Sequence, residues 1–226
     1  MLALEDIFPP FALIIASGPV ELRVLRDDDL PELVELVRGG IHVPDQTMPF
    51  LRAWHEEPFA PGSPDGFPTT SLAWWWTQRV AFQPEEWRLA LTVRRNGELV
   101  GMQDLHARDF AETRHIDTGS WLGVAHHGRG TGTLMRQLVV GFAFDELGAL
   151  ECGSGYVVGN HASAAVSRKT GYVENGRRRM MQQTTRGKVG VNEQRVLVTP
   201  ATYVRSDGEI SVTGAHALRK FLAIKL

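Results

Sequence analysis

The stretch that decides how this chain is read is Val124-Ala125-His126-His127-Gly128-Arg129-Gly130-Thr131-Gly132-Thr133. Upstream, residues from about His115 to Val124 suit a strand. Downstream, Leu134, Met135, Leu138, Val139 and Phe142 recur at helical spacing and mark one face of a helix. The glycines at 128, 130 and 132 therefore join a strand to a helix. They let the backbone approach a ligand and take conformations closed to other residues. The first turn of the helix offers unpaired N–H groups at its positive dipole end, which suits a phosphate, and Arg129 adds a charged contact to an outer phosphate. A dinucleotide fingerprint would need glycine where Thr133 stands, or Met135 in the shifted register. A Walker A loop would need a following Gly-Lys-Ser/Thr. Neither condition is met. Read alone, the turn fits a phosphate cradle or a plain tight connection.

A second group of residues follows. Positions 150–156 read as a strand, and Asn160-His161-Ala162-Ser163 reads as a helix start with Asn160 at the N-cap. Gly171 closes that helix and Tyr172 opens a further strand. Taken singly, Asn160 is a cap and Ser163 a surface hydroxyl.

Further out, Val20 to Leu25 alternates apolar and polar residues as a half-buried strand does. Asp27-Asp28-Asp29 then leads into Leu30, Leu33, Val34 and Val37 at helical spacing, with an aspartate as the cap. Leu89, Leu91 and Val93 alternate up to Asn96-Gly97, a dipeptide that favours a type I′ hairpin turn. Between these lies a segment of different texture, residues 44–82. It is broken by prolines and rich in aromatics (Phe50, Trp54, Phe59, Phe67), with Trp74-Trp75-Trp76 expected to open a helix. Such a segment either walls a binding pocket or packs its tryptophans on the core. A last strand is expected over residues 195–204 and a short helix over 217–224. Strands followed by helices, with a hairpin inside, predict an α/β fold on a mixed sheet.

Composition narrows the function classes. The net charge of -2 gives no general attraction to nucleic acid or anionic membrane, and the run Arg177-Arg178-Arg179 reads as solvated surface charge. Cys152 is the lone cysteine, so no disulfide framework or cysteine-based zinc site is expected, and no metal. A cytoplasmic location follows as the expectation. The apolar run at residues 11–16 is far shorter than the roughly 20 residues that span a bilayer. It is expected to pack on the domain or on a partner subunit, which leaves a homodimer or higher homo-oligomer open.

With both motifs in hand, the chain resembles the GNAT superfamily of N-acetyltransferases. His127-x-x-Gly130-x-Gly132 is similar to its Gln/Arg-x-x-Gly-x-Gly/Ala loop. Asn160-x-x-Ser163-x-x-Val166-x-x-Lys169-x-Gly171-Tyr172 resembles the Asn-x-x-Ser block of the RimJ/RimL-like branch. The likeness covers roughly residues 20–205, leaving 1–19 as an N-terminal extension, 44–82 as an acceptor-side insertion and 206–226 as a C-terminal tail. His127 replaces the usual Gln or Arg where the backbone does most of the binding. Ser120-Trp121-Leu122-Gly123, Thr133-x-Met135-Arg136 and Ala165-Val166-Ser167-Arg168 are also similar to a group that uses succinyl-CoA.

The resemblance implies a mostly antiparallel mixed sheet flanked by helices, with two splayed parallel strands at a coenzyme A site. Trp121, Leu122, Gly123 and Val124 would pair with the pantetheine arm, and an irregularity in that strand would leave an N–H for the thioester carbonyl. His127, Gly128, Arg129, Gly130, Thr131, Gly132 and Thr133 would hold the pyrophosphate, with Asn160 and Ser163 reaching in from the next helix. The implied reaction is direct attack by a primary amine on acetyl-CoA or succinyl-CoA. The acceptor would be a small molecule, a protein N-terminus or a lysine. Asp104, His106 and Asp117 are candidate bases, and Ser163 and Tyr172 candidate donors to the leaving thiolate. For a dicarboxylic acyl group, Gln103, His106 and Arg114 are candidate contacts. A non-catalytic acyl-CoA-binding module on the same fold is the alternative.

Overall fold

The computed structural model describes residues 1–225. In chain order the elements are α1 (Leu4–Ile7), β1 (Ile14–Ser17), β2 (Val20–Val24), α2 (Leu30–Arg38), α3 (Thr69–Val80), β3 (Glu86–Arg95), β4 (Glu98–Arg108), α4 (Phe110–Thr113), β5 (His115–Leu122), α5 (Thr131–Asp145), β6 (Glu151–Val157), α6 (His161–Thr170), β7 (Val173–Thr184), β8 (Gly187–Val198), β9 (Ser211–Thr213) and α7 (Ala215–Phe221). The strands form one nine-stranded sheet in the order β7-β8-β6-β5-β4-β3-β2-β1-β9. Every pairing between these strands is antiparallel except β5 with β6.

The β3–β4 hairpin turns on Asn96-Gly97, both at positive φ (51° and 85°) as a type I′ turn requires. α5 is buried on almost every side from Met135 to Ala143, because the sheet lies on one side of it and the segment around Tyr203 on another. The Tyr203 hydroxyl donates to the Gln137 carbonyl at 2.7 Å. The main core fills the space between this helix and the sheet. A second cluster, with Leu33, Trp75, Leu99 and Met102, lies on the opposite face under α2 and α3.

Several expectations change. Asp29 does not cap α2 with its side chain. Its Oδ2 accepts from the Arg26 N–H at 2.9 Å, and its Oδ1 pairs with Arg23 (2.5 Å) and Arg94 (3.1 Å). The three tryptophans sit in the middle of α3 rather than at its start, with Trp75 buried and Trp74 and Trp76 about half exposed. The last long strand ends at Val198 and pairs with β7 in a hairpin that was not expected from sequence, because its polar faces carry no apolar alternation. Within it Arg177, Arg178 and Arg179 face Gln194, Glu193 and Asn192 across the ladder.

The ends of the chain are built into the sheet. β1 pairs with β2 and β9, with Leu13 and Ile15 fully buried, and α7 buries Leu218 completely. Residues 1–19 and 206–225 thus share the core of residues 20–205. The apolar residues of these segments are too few to show a period but complete the edge of the layer.

Candidate active site

The parallel pair sets the site. β5 and β6 are in register only from His115↔Glu151 to Asp117↔Gly153, and beyond that point they part. Into the gap the Ser154 hydroxyl donates to the Thr118 carbonyl at 2.8 Å, taking the place of a ladder bond. β5 keeps a regular register with β4 from Gly101↔Leu122 to His106↔Asp117, so the unpaired edge comes from the splay and not from an irregularity in β5. A cleft of about 400 Å³ opens here, lined by Gly119 to Leu122, Ser154 to Tyr156, the start of α5 and the inner face of α6.

At one end of the cleft lies the glycine turn. Gly128 (φ 73°) and Gly130 (φ 78°) hold the left-handed conformation that favours glycine. Within the described residues, no N–H from Gly128 through Gly132 donates a hydrogen bond. Five consecutive unpaired donors at the N-terminus of a 15-residue helix form an anion cradle with the helix dipole behind it. The His127 ring turns back and its Nε2 meets the Leu122 carbonyl at 3.1 Å, so the side chain braces the loop while the backbone faces the cleft. The Asn160 Oδ1 accepts from the Ser163 N–H at 3.1 Å and caps α6.

Of the expected coenzyme-binding residues, Trp121, Leu122, His127, Gly128, Gly130, Gly132, Thr133, Asn160 and Ser163 line the cleft. The others sit elsewhere. β5 ends at Leu122, and the Gly123 and Val124 N–H groups are taken by the carbonyls of Val100 and Gly40. Arg129 is exposed beside the loop, and Thr131 is buried with its hydroxyl accepting from Arg95 at 3.0 Å.

The expected acid–base residues divide between the two faces of the sheet. Asp104 pairs in register with Gly119 and faces away from α5, with about a quarter of its side chain accessible. Burial, opposed by Arg88 at 3.3 Å, pushes its carboxyl up to about 6. Asp117 is held below the usual carboxylate range by hydrogen bonding to His115 (3.4 Å), against burial and with Arg195 (3.6 Å) assisting. His106 lies toward the strand end against Glu86 at 3.2 Å. Tyr172 is buried beneath the cleft, its hydroxyl 2.8 Å from that of Thr118, and burial pushes it up to about 12. Ser163 is the candidate hydroxyl that lines the cleft.

Sequence reasoning offered part of residues 44–82 as a pocket wall but missed how that wall is held. Residues 41–50 form a wall with Ile41, His42, Gln46 and Phe50, strapped to the tip of the β7–β8 hairpin. Gln182 donates to the carbonyls of Met48 and Phe50, and Gln183 exchanges backbone bonds with Leu51 and Ala53. Behind this wall Trp54 packs on Trp121 and Phe67 (centroids at 5.8 and 6.1 Å). Arg136, which the sequence offers only within the Thr133-x-Met135-Arg136 likeness, also lines the cleft.

Residues 20–173 match the family profile described as an acetyltransferase (GNAT) domain. The chain belongs to the GNAT acetyltransferase family. It is 28% identical over 160 residues to YdaF of Bacillus subtilis (strain 168), named as a ribosomal N-acetyltransferase, a match covering 71% of this chain and 81% of that one. Its fold is similar to Mycobacterium smegmatis RimJ in complex with CoA-disulfide (TM-score 0.67, 15% identity, covering 94% of this chain and 95% of that one). It is likewise similar to RimL, a ribosomal α-N-protein acetyltransferase in complex with coenzyme A (TM-score 0.62, 17% identity, covering 80% and 96%). The chemistry of this family is acetyl transfer from an acyl-CoA. No helix among the described residues is long and apolar enough to cross a membrane.

Proposed function

We propose that this GNAT protein transfers an acyl group, acetyl or succinyl, from coenzyme A to a primary amine. The observation that carries the reading is the row of five unpaired N–H groups from Gly128 to Gly132, opening on a cleft that ends at the β5–β6 splay. The pyrophosphate fits that row, with Arg129 beside it for an outer phosphate. The arm lies along Trp121 and Leu122, and Asn160 and Ser163 contact it from α6. Gly123 and Val124 act by shaping the loop, since their N–H groups are engaged within the protein, and Thr131 offers its N–H alone, its hydroxyl being taken by Arg95.

The amine approaches from the face that carries Asp104 and Asp117. Asp104 accepts its proton as the nitrogen attacks the thioester carbonyl, because its raised pKa makes it a better base near neutrality than the depressed Asp117. The carbon–sulfur bond breaks and the sulfur leaves as thiol, with Ser163, the motif hydroxyl that lines the cleft, to supply its proton. A protein amine is the acceptor favoured by the names of YdaF and RimL.

Calorimetry with coenzyme A, followed by thioester consumption across a panel of small amines and peptide N-termini, tests this. Saturable binding with amine-dependent turnover is expected. Absence of binding at millimolar coenzyme A would overturn the proposal, and binding without turnover on any amine would favour the acyl-CoA-binding module.

A further inference from the structure

The wall of the cleft carries a group of side chains that acyl transfer does not use. His42, which lines the cleft, His55 and Glu56 each bring one ligand-type atom to within 4.8 Å of the other two. His55 and Glu56 share a 3₁₀ turn, Trp54–Glu56. Phe50 and Trp54 pack on the His55 ring edge-to-face, with centroids at 5.1 and 5.9 Å. The His55 Nδ1 is buried and has no hydrogen-bond partner among the described residues. Such an atom is costly to bury, and native structures normally satisfy it. Glu56 forms no ion pair among the described residues, whereas its neighbour Glu57 pairs with Arg52 at 2.6 Å. An unpaired carboxylate and an unpartnered imidazole nitrogen thus stand beside a second imidazole.

We infer that His42, His55 and Glu56 are the ligands of a divalent transition-metal ion, Zn²⁺ by preference. Two imidazoles and one carboxylate are a zinc ligand set, and they leave a fourth position for water. The expectation of no metal rested on the lone cysteine, and this set uses none. Outer contacts of the usual kind are present. The His42 Nε2 lies 3.1 Å from the Gln46 carbonyl, and donating there leaves the Nδ1 lone pair for the ion. The Thr185 hydroxyl donates to the Glu56 Oε2 at 3.1 Å and leaves Oε1 to the ion. With bonds of about 2.0–2.1 Å, ligand atoms around tetrahedral Zn²⁺ stand about 3.4 Å apart. Binding therefore draws the three together, and the exposed Glu56 side chain is the one free to move. Mg²⁺, which takes oxygen ligands, is rejected by the two nitrogens. The ion joins His42 to the 3₁₀ turn and, through Thr185, to the tip of the β7–β8 hairpin, so it braces the cleft wall. The inference does not depend on what the cleft binds.

The test titrates the full chain, free of any tag and stripped with chelator, with Zn²⁺ and with Mg²⁺ by calorimetry, and with Co²⁺ by visible absorbance. One Zn²⁺ per chain, no saturable Mg²⁺ heat and a set of Co²⁺ d–d bands are expected. Glu56→Gln and His55→Phe should each weaken Zn²⁺ binding by at least ~10-fold, the loss that even an outer-contact change produces, and remove the Co²⁺ bands. Phenylalanine keeps the packing of the His55 ring on Phe50 and Trp54 while removing its nitrogens. Zn²⁺ should also raise the thermal midpoint of the wild type and leave that of Glu56→Gln unmoved. If His55→Phe fails to fold, Glu56→Gln decides, since its side chain is exposed. No Zn²⁺ binding overturns the inference. Zn²⁺ held with equal affinity by the wild type and Glu56→Gln places the ion on other side chains and overturns it as well. Equal affinity for Zn²⁺ and Mg²⁺ does the same.

Discussion

Asp104 and Asp117 lie on neighbouring strands of the same face, yet their surroundings push them apart. Burial raises Asp104 to about 6 despite Arg88, while His115 and Arg195 hold Asp117 low. If Asp104 is the base, its ionised form is the active one, so kcat/KM falls as pH drops through its pKa. The residual accessibility of the side chain makes about 6 the upper end for the midpoint of that limb. Asp104→Asn is expected to lose about 10²–10⁴-fold in kcat/KM and the acid limb with it. A pH–rate profile of the variant that keeps the wild-type limb would move the base elsewhere. The residue types for this chemistry were readable from sequence, but their ranking was not. Nothing in the order of residues says that Arg88 faces Asp104, or that Tyr172 spends its hydroxyl on Thr118 beneath the cleft.

At the scale of the element, α5 and α6 meet at Gly132, where an added Cβ would lie 3.3 Å from Val166 Cγ2 and 3.6 Å from Leu122 Cδ1. Gly132→Val should therefore force the two helices apart at the cradle, at about 1–3 kcal/mol for overpacking. Free coenzyme A affinity should drop roughly tenfold or more, since each 1.4 kcal/mol is a factor of ten. Calorimetry checks it, and unchanged affinity would detach Gly132 from the site. α2 is held differently. Burial works to raise the Asp29 pKa, but the Arg26 N–H and the Arg23 and Arg94 guanidiniums outweigh it and hold the carboxyl below its ordinary value. The folded pKa is thus below the unfolded one, about 3.9. The stabilisation is complete above that value and is lost as pH falls through the lower, folded one. Asp29→Asn is expected to cost about 3 kcal/mol at pH 7, the low end for breaking a buried pair, because Arg23 is one-third exposed. Urea midpoints at pH 7 and pH 3 measure it, and the gap between variant and wild type should narrow at the lower pH.

The whole molecule is closed by its two ends. β1 and β9 complete one edge of the sheet, and α7 packs Phe221 against Phe8 and Phe82 (ring centroids at 5.5 and 6.0 Å). Leu218, fully buried in the main core, should cost about 2–5 kcal/mol when cut to alanine. Because the ends share that core, urea unfolding should remain a single transition with a lower midpoint. A separate early transition of the C-terminal residues would show them to be an appended element.

The sequence by itself determined the parts that depend on neighbours in the chain. The glycine turn before α5, the Asn160 cap and Gly171 stop of α6 and the Asn96-Gly97 hairpin are local choices of backbone conformation and capping, and local chemistry selects them. Together they were enough for the family. Tertiary structure decided what depends on residues far apart in sequence: the splay beyond Asp117 and Gly153, the strap from residues 41–50 to the β7–β8 tip, the inclusion of both termini in the sheet, and the burial of Arg136 between Ser120 and Ser154. Whether a charge is solvated, paired or buried against neutral groups is set by what packs around it, and that is a property of the fold rather than of the residue.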